Sequence, residues 1–191
     1  MMIMNNIAIF ASGSGTNAEN IIKYFENHPN IRVKLVLSNR SDAFVLERAR
    51  NLKVKVKVFN RQEFFENTIV DKLLEKEEIN FIVLAGFLLL LPQRLLNAYP
   101  GRIVNIHPAL LPKYGGKGMY GMKVHEAIAE NREKESGITI HYVDPVYDNG
   151  QIIFQERFPI EEGDDAEKIA NRVHKLEYEF YPRVIEKLLS K

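Results

Sequence analysis

Apolar residues fall into two rhythms along this chain. Short runs in which they are continuous or alternate lie at residues 7–11, 31–38, 53–59, 79–85, 103–106, 138–143 and 151–158, and predict strands. Between them apolar residues recur every three to four positions and predict helices. Ile21, Ile22 and Phe25 mark the first, and Ala43, Leu46 and Ala49 mark a second over 42–51. Others follow at 61–77 and 123–131, and a long one at 166–189. In the last, Ile169, Val173, Leu176, Phe180, Val184 and Leu188 form one stripe. Residues 79–85 are apolar throughout, as expected of a strand covered on both faces. Residues 53–59 alternate Lys and Val, the pattern of a half-exposed strand near a sheet edge, where lysine discourages pairing. A solvated strand face is a commoner use of such lysines than nucleic-acid binding. Strands alternating with helices predict an α/β fold: a doubly wound, Rossmann-like, mostly parallel sheet with helices on both faces. No repeat, linker or low-complexity segment divides it.

Composition changes this picture only by exclusion. A length of 191 residues fits one domain, residues 1–191. Hydrophobic residues at 46% and charged ones at 27% are ordinary for a globular chain. With 26 Lys+Arg against 25 Asp+Glu, no global field favours nucleic acid. There is no cysteine, which excludes disulfides, thiolate metal sites and thiol nucleophiles. No run reaches the roughly 18 apolar residues of a membrane span. The opening MMIMNNIAIF has no basic start or cleavage site and reads as the first strand, so the expected address is the cytoplasm.

Three segments carry chemistry. Ser12-Gly13-Ser14-Gly15-Thr16-Asn17 is a small-residue turn between a strand and a helix. It reads either as a phosphate cradle, since free N–H groups at a helix start attract anions, or as a tight turn with a Thr cap. Gly13-x-Gly15-x-x-Ala18 also loosely fits a dinucleotide fingerprint, but Ser38-Asn39-Arg40 supplies no acidic residue for the ribose, leaving only an NADP-type reading through Arg40. In Asn105-Ile106-His107-Pro108, residues two apart on a strand point to one side, so an amide and an imidazole can meet at one point. That suits a developing oxyanion, and it equally suits a histidine capping a strand end. Asp148-Asn149-Gly150 is a turn by composition; near His107, its carboxylate would raise the histidine pKa. His141 is a supporting candidate, and His28 and His174 read as surface or satisfied residues. His125-Glu126 lacks the second histidine of a zinc-protease helix, and no GxSxG elbow is present.

Taken together, five ordered segments resemble the phosphoribosylglycinamide formyltransferase family over nearly the whole chain. They are Phe10-Ala11-Ser12-Gly13-Ser14-Gly15-Thr16-Asn17, Ser38-Asn39-Arg40-x-Asp42-Ala43-Phe44, Leu84-Ala85-Gly86-Phe87, Val104-Asn105-Ile106-His107-Pro108-Ala109-Leu110-Leu111-Pro112-Lys113, and Gly137-Ile138-Thr139-Ile140-His141 with Asp148-Asn149-Gly150-Gln151-Ile152-Ile153. The resemblance implies formyl transfer from 10-formyl-tetrahydrofolate, a cosubstrate, to the amine of glycinamide ribonucleotide in purine synthesis, with no metal. It implies a catalytic trio of Asn105, His107 and Asp148, with Asp148 keeping His107 protonated. Gly13, Ser14, Gly15, Thr16, Asn17 and Glu177 would hold the ribonucleotide. Arg61, Leu88, Leu89, Leu90, Leu91, Asn105 and Val143 would line the folate site. The N-terminal half would thus bind phosphate and the C-terminal half folate.

The chain departs from the family at Gly115-Gly116, where many members have Pro-Gly, in a longer stretch over 116–124, and at Leu89, where some have Arg. The expected partners are small molecules, with no nucleic acid or membrane, for a monomer or homodimer. A 10-formyl-tetrahydrofolate hydrolase and an NADP-binding module are the alternatives; the second leaves Asn105, His107 and Asp148 unexplained.

Overall fold

A computed structural model describes residues 4–190. Met1–Ile3, at the start of the expected first strand, lie outside the described residues. The strands are β1 (Asn5–Phe10), β2 (Ile31–Ser38), β3 (Lys55–Val58), β4 (Phe81–Leu84), β5 (Ile103–His107), β6 (Glu135–Tyr142) and β7 (Ile152–Pro159). The helices are α1 (Thr16–Phe25), α2 (Val45–Asn51), α3 (Arg61–Phe65), α4 (Ile69–Lys76), α5 (Gln93–Ala98), α6 (Met122–Glu130) and α7 (Ala166–Leu189).

The strands form one sheet in the order β3-β2-β1-β4-β5-β6-β7. The first five in that order are parallel, while β6 runs antiparallel to β5 and β7 antiparallel to β6. Alternation along the central strands divides the core. Ile7 and Ile9 of β1 join Val36, Val83 and Val104 beneath α1, α2, α6 and α7. Ala8 and Phe10 join Leu35, Leu37, Ile82 and Leu84 against Phe64, Val70, Leu74 and Leu95 of α3, α4 and α5. Full burial of each large side chain is worth ~1.5–3 kcal/mol. The lysine-bearing strand β3 is a sheet edge, and its Lys55 pairs with Glu77 while Lys57 lies 3.9 Å from Glu63.

Three expectations are corrected. The single helix over 61–77 is two, because α3 stops at Phe65. Arg94 donates to the carbonyls of Phe64, Phe65 and Asn67 around that break, and its Nε lies 3.0 Å from both Asp71 oxygens. The helix over 42–51 begins only at Val45. Helix α5 was not expected, since six residues with one buried apolar side chain, Leu95, show no period.

Candidate functional site

The parallel strands β1, β4 and β5 end at the mouth of a cleft of about 720 Å³, in the size range of small-molecule sites. At its floor, β1 gives way to the 12–17 turn. Ala11 N–H donates to Leu37 O and Ser12 N–H to Gly86 O, bolting the turn to the neighbouring strand ends. Ser12 Oγ donates to Asn39 Oδ1 (2.6 Å) and accepts from Leu88 N–H (3.1 Å). Gly15 takes φ 76°, and a Cβ there would stand 2.3 Å from the Val45 side chain. No side chain caps α1, so the N–H groups of its first turn are left for a ligand.

Strand β5 brings Asn105 and His107 to the same cleft, with His107 buried. His107 Nε2 lies 2.7 Å from Tyr114 O, and Nδ1 lies 3.4 Å from Asp148 Oδ2. Both nitrogens therefore face oxygen acceptors. Burial nevertheless dominates and pushes the ring below its ordinary pKa, against the opposing pull of the Asp148 charge and the Tyr114 carbonyl. The Asp148 carboxylate thus acts to hold a proton on His107, and burial acts against it. Burial also acts to raise the Asp148 carboxyl, but contact with His141, the His107 charge and the Gly116 N–H (2.9 Å) outweigh it and hold it below the usual range.

Asn105 Nδ2 lies 3.1 Å from His141 Nε2 and donates to Asp148 Oδ1 at 3.5 Å. His141 Nδ1 faces Tyr142 O at 2.8 Å, so in its neutral form the ring carries its hydrogen there and accepts from Asn105 at Nε2. That contact fixes which way the amide points.

The opposite wall comes from α7. Glu177, only 4% exposed, accepts through Oε2 from Asn17 Nδ2 and pairs with His174 Nδ1, both at 3.0 Å. That pairing pushes His174 above its ordinary pKa. Burial, with the nearby His174 charge, lowers His125 of α6 to about 4. Among the described residues Asn17 Oδ1 and His125 Nδ1 have no partner, buried polar atoms that a bound ligand can satisfy.

The cleft thus gathers Gly13, Ser14, Gly15, Thr16, Asn17, Glu177, Asn105, His107 and Asp148, with Leu88 at its rim. Tyr147 Oη donates to Leu88 O at 3.3 Å. The remaining expected folate residues do not line it. Arg61 lies over the Phe65 ring at 4.8 Å, Leu91 is buried in the second core cluster, and Leu89 and Val143 pack against that cluster. Leu90 is partly buried. His125, His174, Lys117 and Tyr147 were missed as lining residues. Nothing local marks them, because they reach the cleft from α6, α7 and two loops. Arg40 also lines it, but its guanidinium is taken by Asp42 at 2.8 and 3.1 Å. Among the described residues no group of three or more His, Asp or Glu is placed to hold a metal, and no helix is long and apolar enough to cross a membrane.

Residues 5–185 match the protein family described as formyl transferase. The chain is 38% identical over 193 residues to phosphoribosylglycinamide formyltransferase of Bacillus subtilis, covering 98% of this chain and 96% of that protein. It is 39% identical to the chloroplastic phosphoribosylglycinamide formyltransferase of Arabidopsis thaliana over 94% of this chain, and spans 63% of that longer protein. The crystal structure of phosphoribosylglycinamide formyltransferase from Bacillus halodurans superposes with a TM-score of 0.86 at 39% identity, covering 98% and 96% of the two chains.

Proposed function

The chain belongs to the formyl transferase family, and from that premise we propose that it transfers the formyl group of 10-formyl-tetrahydrofolate to the amine of glycinamide ribonucleotide, yielding formylglycinamide ribonucleotide and tetrahydrofolate in purine biosynthesis. The observation that carries this reading is the meeting, in one cleft, of an uncapped glycine turn with Glu177 on one side and Asn105, His107 and Asp148 on the other. A phosphate subsite beside a carboxylate suits a phosphorylated amine, and an amide beside an imidazole suits acyl transfer. In this division of one domain, the N-terminal half takes the ribonucleotide phosphate and the C-terminal half the folate, with Leu88 and Tyr147 at the shared rim.

The neutral amine attacks the formyl carbon, giving a tetrahedral oxyanion. Asn105, one amide hydrogen held by His141, turns the other from its long contact with Asp148 to that oxygen. His107 in its neutral form takes the proton released by the amine. It then becomes the charged donor that Asp148 and the Tyr114 carbonyl favour. The same proton passes to the departing folate nitrogen as its bond to the formyl carbon breaks, so His107 ends as it began. Asp148 does not titrate in this cycle; it stabilises the imidazolium while it exists.

Absorbance at the tetrahydrofolate band, followed with and without glycinamide ribonucleotide, tests the reading. Product is expected only with both substrates. Equal folate release without the ribonucleotide would favour hydrolysis and overturn it.

A further inference from the structure

A phosphomonoester brings a charge of about −1.5 to −2 into the cleft. The 12–17 turn meets it with N–H groups and the Thr16 and Ser14 hydroxyls, which are dipoles and not charges. The lining otherwise carries the carboxylates Asp148 and Glu177, the histidine His174 already paired with Glu177, and two long cations, Arg40 and Lys117. Arg40 is held in a two-point contact by Asp42. Lys117 is exposed, and among the described residues no carboxylate lies within ion-pair distance of it.

Resting on the reading above, we propose that Lys117 is the cation that holds the ribonucleotide phosphate, completing the subsite begun by the glycine turn. Its position in the chain suits this task. Lys117 stands between Gly116 (φ 94°) and Gly118 (φ 90°), and nothing lies within 4 Å of where either glycine's Cβ would be. Both glycines thus face open space on either side of Lys117, while Gly116 itself is tied at N–H and at its carbonyl, which accepts from Met119 N–H. One residue away, Gly116 N–H donates to Asp148 Oδ2 at 2.9 Å, so the segment that carries Lys117 also touches the catalytic carboxylate. A compact ammonium on a flexible stem suits phosphate as a point charge.

The other anion in the reaction, the folate carboxylate tail, fits less well. Arg61, Leu89, Leu90, Leu91 and Val143 lie outside the lining that Lys117 shares with the turn.

The experiment compares wild type, Lys117→Met and Lys117→Arg under steady-state conditions, with folded state checked by thermal melting. Two acceptors are used: glycinamide ribonucleotide and its dephosphorylated riboside. Lys117→Met is expected to raise KM for the ribonucleotide roughly tenfold or more, as for loss of a charge-assisted hydrogen bond. The KM for the folate donor should hold, and the loss should be confined to the phosphate-bearing acceptor. Lys117→Arg should recover most of it. Inorganic phosphate should inhibit wild type more strongly than Lys117→Met, and the fall of kcat/KM with ionic strength should be shallower in the variant. Equal losses on both acceptors, or none on either, would overturn the assignment. A wild-type chain that formylates no ribonucleotide would instead overturn the reading of the site on which it rests.

Discussion

At the scale of single residues, the cleft histidines are set apart by what surrounds them. His125 is held near 4 by burial, His107 lies below its ordinary value, and His174 is raised by Glu177. Histidine NMR titration should find that division. Asp148→Asn keeps an oxygen for Gly116 N–H but removes the charge that pulls His107 upward, so the His107 midpoint should fall further. Activity gained as His107 loses its proton should then begin at lower pH, while the plateau drops because the imidazolium formed in the reaction has lost its counter-charge. Loss of His107 altogether should cost about 10²–10⁴ in kcat. Because His107 and Asp148 share one task, the double change His107→Ala with Asp148→Asn should cost much less than the product of the singles. Multiplicative losses in folded variants would separate the two residues. Asn105 and His107 were legible because a strand's period of two needs only neighbouring letters. The tether from Asn105 to His141 was not, since it depends on the β5–β6 register that sets Asn105 opposite His141.

At the scale of elements, sequence periodicity finds what is locally determined and fails where a distant side chain decides. Residues 61–77 carry helix-spaced apolar positions on both sides of Glu66, so they read as one helix. The break is held open by Arg94, whose guanidinium takes carbonyls freed at the end of α3; no window around residue 66 contains it. The glycine turn gives the converse case. Its glycines look equivalent in sequence, but Gly15 holds a left-handed φ against Val45, whereas nothing lies within 4 Å of a Cβ placed at Gly13. Gly15→Ala should therefore lower the melting temperature and impair both substrates together, by displacing α1 from α2. Gly13→Ala should leave the melting temperature near wild type and raise KM selectively for the ribonucleotide, because its added methyl group meets only the ligand's side of the turn. Melting curves beside two-substrate kinetics distinguish the cases. A selective KM effect from Gly15→Ala with no stability loss would show that Val45 yields.

At the scale of the whole molecule, the cleft exists because α7 returns to the strand ends from which the chain set out. Asn17 and Glu177 meet across 160 positions of sequence. The stripe that predicted α7 shows that it packs, but not where along the sheet it docks. At the strand ends α7 carries Tyr181, fully buried one helical turn beyond Glu177, whose hydroxyl donates to Leu84 O at 2.8 Å and lies 3.3 Å from Val104 O. Those carbonyls belong to β4 and β5, the strands that lead into Leu88 and into Asn105. One hydroxyl thus ties the helix carrying Glu177 to the two strands that frame the cleft. Tyr181→Phe keeps the ring and its packing but leaves the carbonyls without that donor, at a cost of roughly 1–2 kcal/mol to unfolding. If Tyr181 sets the position of α7, the same change should raise KM for the ribonucleotide, through Glu177, while the His107 titration stays where it was. Chemical denaturation gives the first quantity, and kinetics beside histidine NMR give the others. Stability lost with both KM values intact would mean that α7 holds its place by apolar packing alone, with Glu177 positioned by Asn17 and His174 rather than by the strand ends.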